Sequence, residues 1–214
     1  MDLFPCPLPT ALEIIPDVGC PVKFDQIQKM IFQRRQTTSS FTTTTILTKA
    51  AWDAVLNADD DTRACITPFL NNFVIGRGDV LTEGGNDNTT LNGIPRLLGL
   101  GYAPGTAELH NVNSNIADAM RSYTSESAQN GFTNLWAYFI NKDGKIIGKL
   151  NQDGTHVDGI DVYNLVVPDV TSEGFAKDNI YFLQWGMAGG WSEGWNMYVG
   201  TDFNALNLVN QPGS

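Results

Sequence analysis

The chain has 214 residues, of which 42% are hydrophobic and 10% aromatic, a composition typical of a globular protein. Thirteen Lys and Arg stand against 23 Asp and Glu, and the resulting formal net charge of −10 opposes binding to the phosphate backbone of nucleic acids. No run of about 18 apolar residues is present, so the sequence predicts no membrane-spanning helix. Only 17% of residues are charged, which favours a surface partly covered by partners.

The first 22 residues contain five prolines among apolar residues. Proline cannot donate a backbone hydrogen bond and favours extended chain. We therefore expect residues 1–22 to form an extended arm that is ordered by a neighbouring subunit, and residues 23–214 to form a single β-rich domain. The odd set of three cysteines has no C-x-x-C spacing, which favours free thiols over a disulfide framework or a zinc site.

Residues 23–36 carry apolar residues at helical spacing that also fit a strand after a turn, and we predict a strand. The Thr-rich residues 37–45 that follow are predicted to be either an exposed edge strand or a linker. A helix is predicted over residues 48–59, because Thr48 can cap its start and Trp52, Val55 and Leu56 share one face. A second helix is predicted over residues 113–123, capped by Ser114, with Ile116, Met120 and Tyr123 on its buried face.

Residues 69–102 carry seven glycines and are interpreted as a long ordered loop. Asn, Asp and Thr side chains can bond the local main chain and fix its shape. The apolar residues Leu81, Leu91 and Ile94, with 97, 98 and 100, are expected to pin both ends of the loop to the core. The loop holds no nucleophile, base or metal shell, so we predict a subunit contact formed by Asn86, Asp87, Asn88, Thr89 and Thr90.

The last 80 residues are predicted to form an antiparallel sheet system. Asp143-Gly144 between two β-rich runs indicates a hairpin whose turn spans residues 141–145, with Gly144 at positive φ. Further strands are expected over residues 160–167, 179–185 and 196–199. The predicted fold class is mainly antiparallel β and sandwich-like, with two short α-helices and the N-terminal arm.

Candidate chemical sites are sparse. The spacing of Asp153, Asp158 and Asp161 fits either an oxygen-ligand calcium loop or a hydrogen-bonded turn, and the distal Glu of a typical calcium loop is missing. His110 and His156 are far apart in sequence and fit no metal or catalytic motif. The sequence therefore predicts no enzyme activity, no catalytic residue, no cofactor and no metal ligand.

Two further patterns leave alternatives open. Arg77-Gly78-Asp79 matches an integrin-type triplet, but a turn after the preceding strand also accounts for it. Four aromatic residues near the C-terminus form either a platform for a sugar ring or subunit, or a core cluster: Trp185, Trp191, Trp195 and Tyr198. A carbohydrate-binding β-sandwich module or adhesin is therefore an alternative of another functional class.

Several stretches resemble virion structural proteins of tailed phages that infect Bacteroidetes, the crAss-like group. They are the Phe73-x-Ile75-x-x-Gly78 opening, GGNDNTTLNGIPRL at 84–97, LTKAAWDAV at 47–55 and DGKIIG at 143–148. The resemblance is one of overall texture across residues 24–150. It implies a non-enzymatic, symmetric assembly subunit of the virion, in contact with copies of itself and other virion proteins. A portal-proximal ring or collar, or a tail component, is favoured over a capsid auxiliary or head-fibre protein.

Overall fold

A computed structural model describes residues 26–85, 93–127, 133–172, 174, 175 and 177–210. The fold is β-rich and sandwich-like, and all strand pairs in these residues are antiparallel. The predicted fold class is therefore confirmed. The predicted N-terminal arm lies outside the described residues. None of the described helices is long and apolar enough to cross a membrane.

The large sheet has eight strands. They are β1 Ile27–Arg34, β2 Phe41–Thr42, β3 Ala64–Ile66, β8 Leu135–Asn141, β9 Lys145–Leu150, β10 His156–Asp158, β11 Ile160–Asp161 and β15 Trp195–Val199. Six follow the order β2-β10-β9-β8-β1-β3, while β11 pairs with β8 and β15 with β9.

The small sheet has five strands, β4 Asn71–Ile75, β7 Ala103–His110, β12 Tyr163–Val166, β13 Thr171–Ser172 and β14 Asn179–Met187. Four follow the order β12-β14-β7-β4, and β13 pairs with β14. Along β7 the buried residues alternate with more exposed ones, as expected for a sheet with only one face in the core. A separate two-stranded sheet, β5 Val80–Glu83 and β6 Arg96–Leu100, is called the ribbon below.

The main core lies between the two sheets. The large sheet contributes Met30 and Phe139 to it, and the small sheet contributes Leu109 and Leu183. The opposite face of the large sheet is covered as well, so every residue of β8 is buried. This double coverage explains why residues 135–140 are a continuous apolar run instead of an alternating one.

Helix α1, Lys49–Leu56, covers the outer face of the large sheet, where Trp52 packs against Phe41 and Tyr138. Its predicted buried residues are confirmed, but the helix ends three residues earlier than predicted. A 3-10 turn over Thr45–Leu47 precedes α1, and another at Ala205–Asn207 packs nearby.

Helix α2, Ser114–Ser122, and the one-turn helix α3, Thr124–Ser127, follow β7. The prediction that Ser114 caps α2 was wrong. Asn113 is the cap, since its side chain accepts a hydrogen bond from the Asn115 amide at 3.1 Å. Asn113 is one residue earlier and is an equally good capping residue type, so composition alone could not separate the two.

Candidate assembly surface

The ribbon contradicts the interpretation of residues 69–102 as one long loop. Val80 pairs with Leu100 and Glu83 with Arg96, and the register shifts between Leu81 and Thr82. The preceding residues form β4, which belongs to the small sheet. The sequence did not reveal these strands, because strand propensity comes mainly from β-branched and aromatic side chains and this glycine-rich stretch has few of them.

The ribbon exposes both of its faces. All four residues of β5 and four of the five in β6 are exposed. The prediction that its apolar residues are pinned to the core was therefore wrong for every one of them that the structure describes. The exposed apolar residues are Val80, Leu81, Ile94, Leu97, Leu98 and Leu100, and their exposed fractions run from 49% for Leu81 to 66% for Ile94 and Leu97.

One backbone contact closes the base of the ribbon, and a second holds that base to the small sheet. The Gly101 amide donates to the Asp79 carbonyl at 2.7 Å, and the Gly76 amide donates to the Pro104 carbonyl at 2.7 Å. The ring of Tyr102 lies directly over Gly186 of β14. Asp79, the last residue of the Arg77-Gly78-Asp79 triplet, contributes its backbone carbonyl to this base, and its side chain is exposed.

The ribbon alone is a marginal structure. A two-stranded hairpin needs a third strand or a packed face to be stable in water, and contiguous exposed apolar surface marks interaction sites. The predicted contact residues Asn86, Asp87, Asn88, Thr89 and Thr90 lie outside the described residues, between the two ends of the ribbon strands. The apolar strands on either side of them are what the structure offers as a contact surface.

A groove of about 540 Å³ lies between β1, β3, α2 and the chain at residues 208–210. Lys29 lies at its base and is 7% exposed. Its Nζ donates to the carbonyls of Leu206 and Leu208 at 2.8 and 3.3 Å and lies 4.6 Å from the centre of the Phe69 ring. Desolvation by burial lowers the pKa of Lys29. The apolar lining of the groove comes from four residues that are only 2–6% exposed, Phe32, Ile66, Met120 and Leu208, and from the partly exposed Ile116.

The four aromatic residues do not share one exposed face. Trp185 is only 2% exposed and its ring centre lies 5.3 Å from that of Phe73. Trp191 and Trp195 are half-buried against the core between the sheets, whereas Tyr198 packs on the other face of the large sheet. Trp185 thus belongs to the core cluster, and its buried ring is not available to stack on a sugar.

The three aspartates of the possible calcium loop each bind a different partner. Asp153 accepts hydrogen bonds from the Thr155 amide at 2.8 Å and contacts His156 Nδ1 at 2.6 Å, and these bonds hold the pKa of Asp153 far below its ordinary value. Asp161 accepts from Trp136 Nε1 at 2.9 Å, and Asp158 accepts from the Ser39 hydroxyl. In the described ranges no three His, Cys, Asp or Glu side chains converge as metal ligands. The geometry matches the hydrogen-bonded turn.

A polar cluster that the sequence did not predict surrounds His110 at the end of β7. Its Nδ1 lies 2.9 Å from Asp178 Oδ2 and its Nε2 lies 3.0 Å from Glu108 Oε2. Hydrogen bonding to Asp178 and then to Glu108 raises the pKa of His110. The sequence contains one sign of this cluster, because residues two apart on a strand, such as Glu108 and His110, point to the same face. Asp178 is 68 residues away and is brought near by the pairing of β7 with β14.

Comparison with known proteins gives no information on the function of this chain. The sequence matches no model of a known protein family, and no curated protein matches it.

Proposed function

We propose that this chain is a non-enzymatic structural subunit of a bacteriophage virion, which assembles symmetrically with copies of itself through the ribbon. The observation that carries the proposal is the ribbon, two strands with apolar residues exposed on both faces. Burying an aliphatic side chain contributes about 1.5–3 kcal/mol, so covering the five exposed ones of the ribbon provides a strong drive for association. The resemblance to virion proteins of crAss-like phages supplies the biological setting.

The arrangement of polar groups supports the same proposal. His110 has both ring nitrogens engaged by carboxylates, and Asp153 is engaged by the turn that it caps. The Thr155 hydroxyl lies 2.9 Å from His156 Nδ1, the same nitrogen that Asp153 contacts at 2.6 Å. In a catalytic triad the nucleophile and the carboxylate contact opposite nitrogens of the imidazole ring, so this arrangement is not that of a triad. Within the virion, a portal-proximal ring or collar or a tail position fits a subunit that repeats around an axis. A capsid auxiliary or head-fibre protein would use the same kind of contact.

Native mass spectrometry and sedimentation velocity of the full chain test this proposal. We expect a discrete oligomer, and we expect the double variant Leu97→Lys/Leu98→Lys to weaken association at least about 100-fold, because two buried aliphatic side chains are lost. The matched control is Val170→Lys/Phe175→Lys, which changes two exposed apolar residues outside the ribbon. A wild-type chain that remains monomeric at about 100 μM, or equal loss in the control, would contradict the proposal.

A further inference from the structure

A polar pocket of about 390 Å³ lies apart from the ribbon and the groove and shares no residue with either. Its walls are residues 35–39 between β1 and β2, the turn between β9 and β10, and part of β10, and Trp136 of β8 completes them. Nine of the ten lining residues are polar or charged. The volume falls in the range of about 300–1,000 Å³ that small-molecule sites occupy. Because the walls are polar, they select for a ligand that forms hydrogen bonds.

The pocket is preformed, because side-chain hydrogen bonds fix its walls. Gln36 Nε2 donates to the Asp61 carbonyl at 2.7 Å, which holds the first part of residues 35–39. At the other end of these residues, the Ser39 hydroxyl donates to Asp158 and so joins the loop to β10. A ligand therefore loses little affinity to ordering of the protein.

The charges that line the pocket disfavour an anion. The guanidinium of Arg35 lies 3.6 Å from the carboxylate of Asp161, which offsets its positive charge. Asp153 and Asp158 add two negative charges, and among the described residues only Asp153 has an ion-pair partner, His156 Nδ1 at 2.6 Å. A phosphate or carboxylate would therefore be repelled more than attracted, whereas a neutral polar ligand meets no such penalty.

The lining residues retain both acceptors and donors of hydrogen bonds. Asp158 Oδ1 accepts from Ser39, and its Oδ2 has no partner in the part of the chain that the structure describes. The contact of Asp153 with His156 Nδ1 places the proton of the neutral ring on that nitrogen and leaves Nε2 as an acceptor. Asn151 Oδ1 accepts from the next amide in the chain at 2.6 Å, which leaves its Nδ2 as a donor. Since a sugar hydroxyl both donates and accepts, adjacent hydroxyls of one ring match these mixed walls.

We propose that this pocket binds one sugar residue of a glycan, with Asp158 and His156 accepting hydrogen bonds from its hydroxyl groups and Asn151 donating to them. This binding goes beyond the structural role proposed above and does not depend on it, because the pocket and the ribbon are separate. Trp136 is only 5% exposed, so recognition is by hydrogen bonds and not by stacking on its ring. A single sugar ring of about 12 non-hydrogen atoms is then expected to bind with a Kd on the order of 1 mM.

Saturation-transfer difference NMR of the full chain with separate sugars tests the proposal: D-glucose, D-galactose, D-mannose, L-fucose and N-acetyl-D-glucosamine. Asp158→Asn keeps the size of the side chain but replaces the partnerless oxygen by an NH₂ donor. Thr38→Trp places a large ring over the pocket from an exposed lining position. The matched control is Asp169→Asn, the same change at a fully exposed side chain outside the pocket. Circular dichroism melts confirm that each variant folds.

We expect the wild type and Asp169→Asn to bind at least one of these sugars equally well. Asp158→Asn should bind it at least about tenfold more weakly, because an acceptor is lost, and Thr38→Trp should not bind it. A wild type that binds none of the sugars at about 20 mM, well above the expected Kd, would overturn the proposal. Binding that survives in Thr38→Trp would place the sugar elsewhere, as on Trp191 or Trp195, and would overturn it too.

Discussion

The ring of Tyr102 occupies the position that a β-carbon on Gly186 would require. Tyr102 is the last residue before β7 and Gly186 lies in β14, so this contact seats the base of the ribbon on the small sheet. Gly186→Ala should displace the Tyr102 ring and lower the free energy of unfolding by about 1–3 kcal/mol, as expected for overpacking. Thermal and urea denaturation of the purified chain measure the change.

A double variant separates this contact from a general effect of losing glycine. Tyr102→Ala removes the ring, so Gly186→Ala should cost much less in a Tyr102→Ala background than in the wild type. Equal costs in the two backgrounds would show that the ring does not rest on Gly186.

The turn between β8 and β9 depends on Gly144, whose φ is +74°. A β-carbon there would also overlap the side-chain amide of Asn204, which accepts a hydrogen bond from the Leu206 amide at 2.9 Å. Gly144→Val should therefore cost more than the roughly 1–2 kcal/mol of left-handed strain alone. Gly154 is the control, because its φ is +69° and no atom lies within 4 Å of a β-carbon placed on it. Equal destabilisation by Gly144→Val and Gly154→Val would contradict the role assigned to Asn204.

The His110 cluster makes stability depend on pH. Its carboxylate partners Asp178 and Glu108 raise the pKa of His110 above the ordinary 6.5. A raised pKa in the folded state adds stability that is fully present below the unfolded pKa and is lost as pH rises through the folded pKa. The melting temperature of the wild type should thus exceed that of His110→Gln by about 1–3 °C near pH 5.5, and the difference should shrink near pH 8.5. A difference that grows with rising pH would contradict this assignment.

Local patterns were sufficient to predict much of the fold. The hairpin of β8 and β9 could be predicted because Asp143-Gly144 favours a tight turn between two apolar runs. The pairing of the two strands and the positive φ of Gly144 confirm it. Helix α1 could be predicted because Trp52, Val55 and Leu56 repeat at helical spacing. All three are buried in the structure. The strand at β1 was predicted as well, although its residues also fitted a helix.

The contact surface was less accessible to sequence reasoning. The sequence singled out the polar residues Asn86 and Asp87 and assigned Leu81 and Ile94 to the core. In the structure both are exposed, Leu81 on the ribbon and Ile94 just before its second strand. An apolar residue that forms a subunit contact and one that forms the core are the same residue types and gain the same free energy on leaving water. The sequence alone therefore does not distinguish them. Only the pairing of β5 with β6, away from both sheets, separates the two cases.

Backbone amide hydrogen exchange at two protein concentrations tests assembly through the ribbon most directly. Below the dissociation constant, the amides of Val80–Glu83 and Arg96–Leu100 should exchange quickly, because an isolated two-stranded sheet opens readily. At about 100 μM the same amides should become at least about tenfold slower to exchange, while those of β7 and β14 in the small sheet stay unchanged. Ribbon amides that exchange at the same rate at both concentrations, in a sample whose mass shows an oligomer, would contradict the claim that copies of this chain meet through the ribbon.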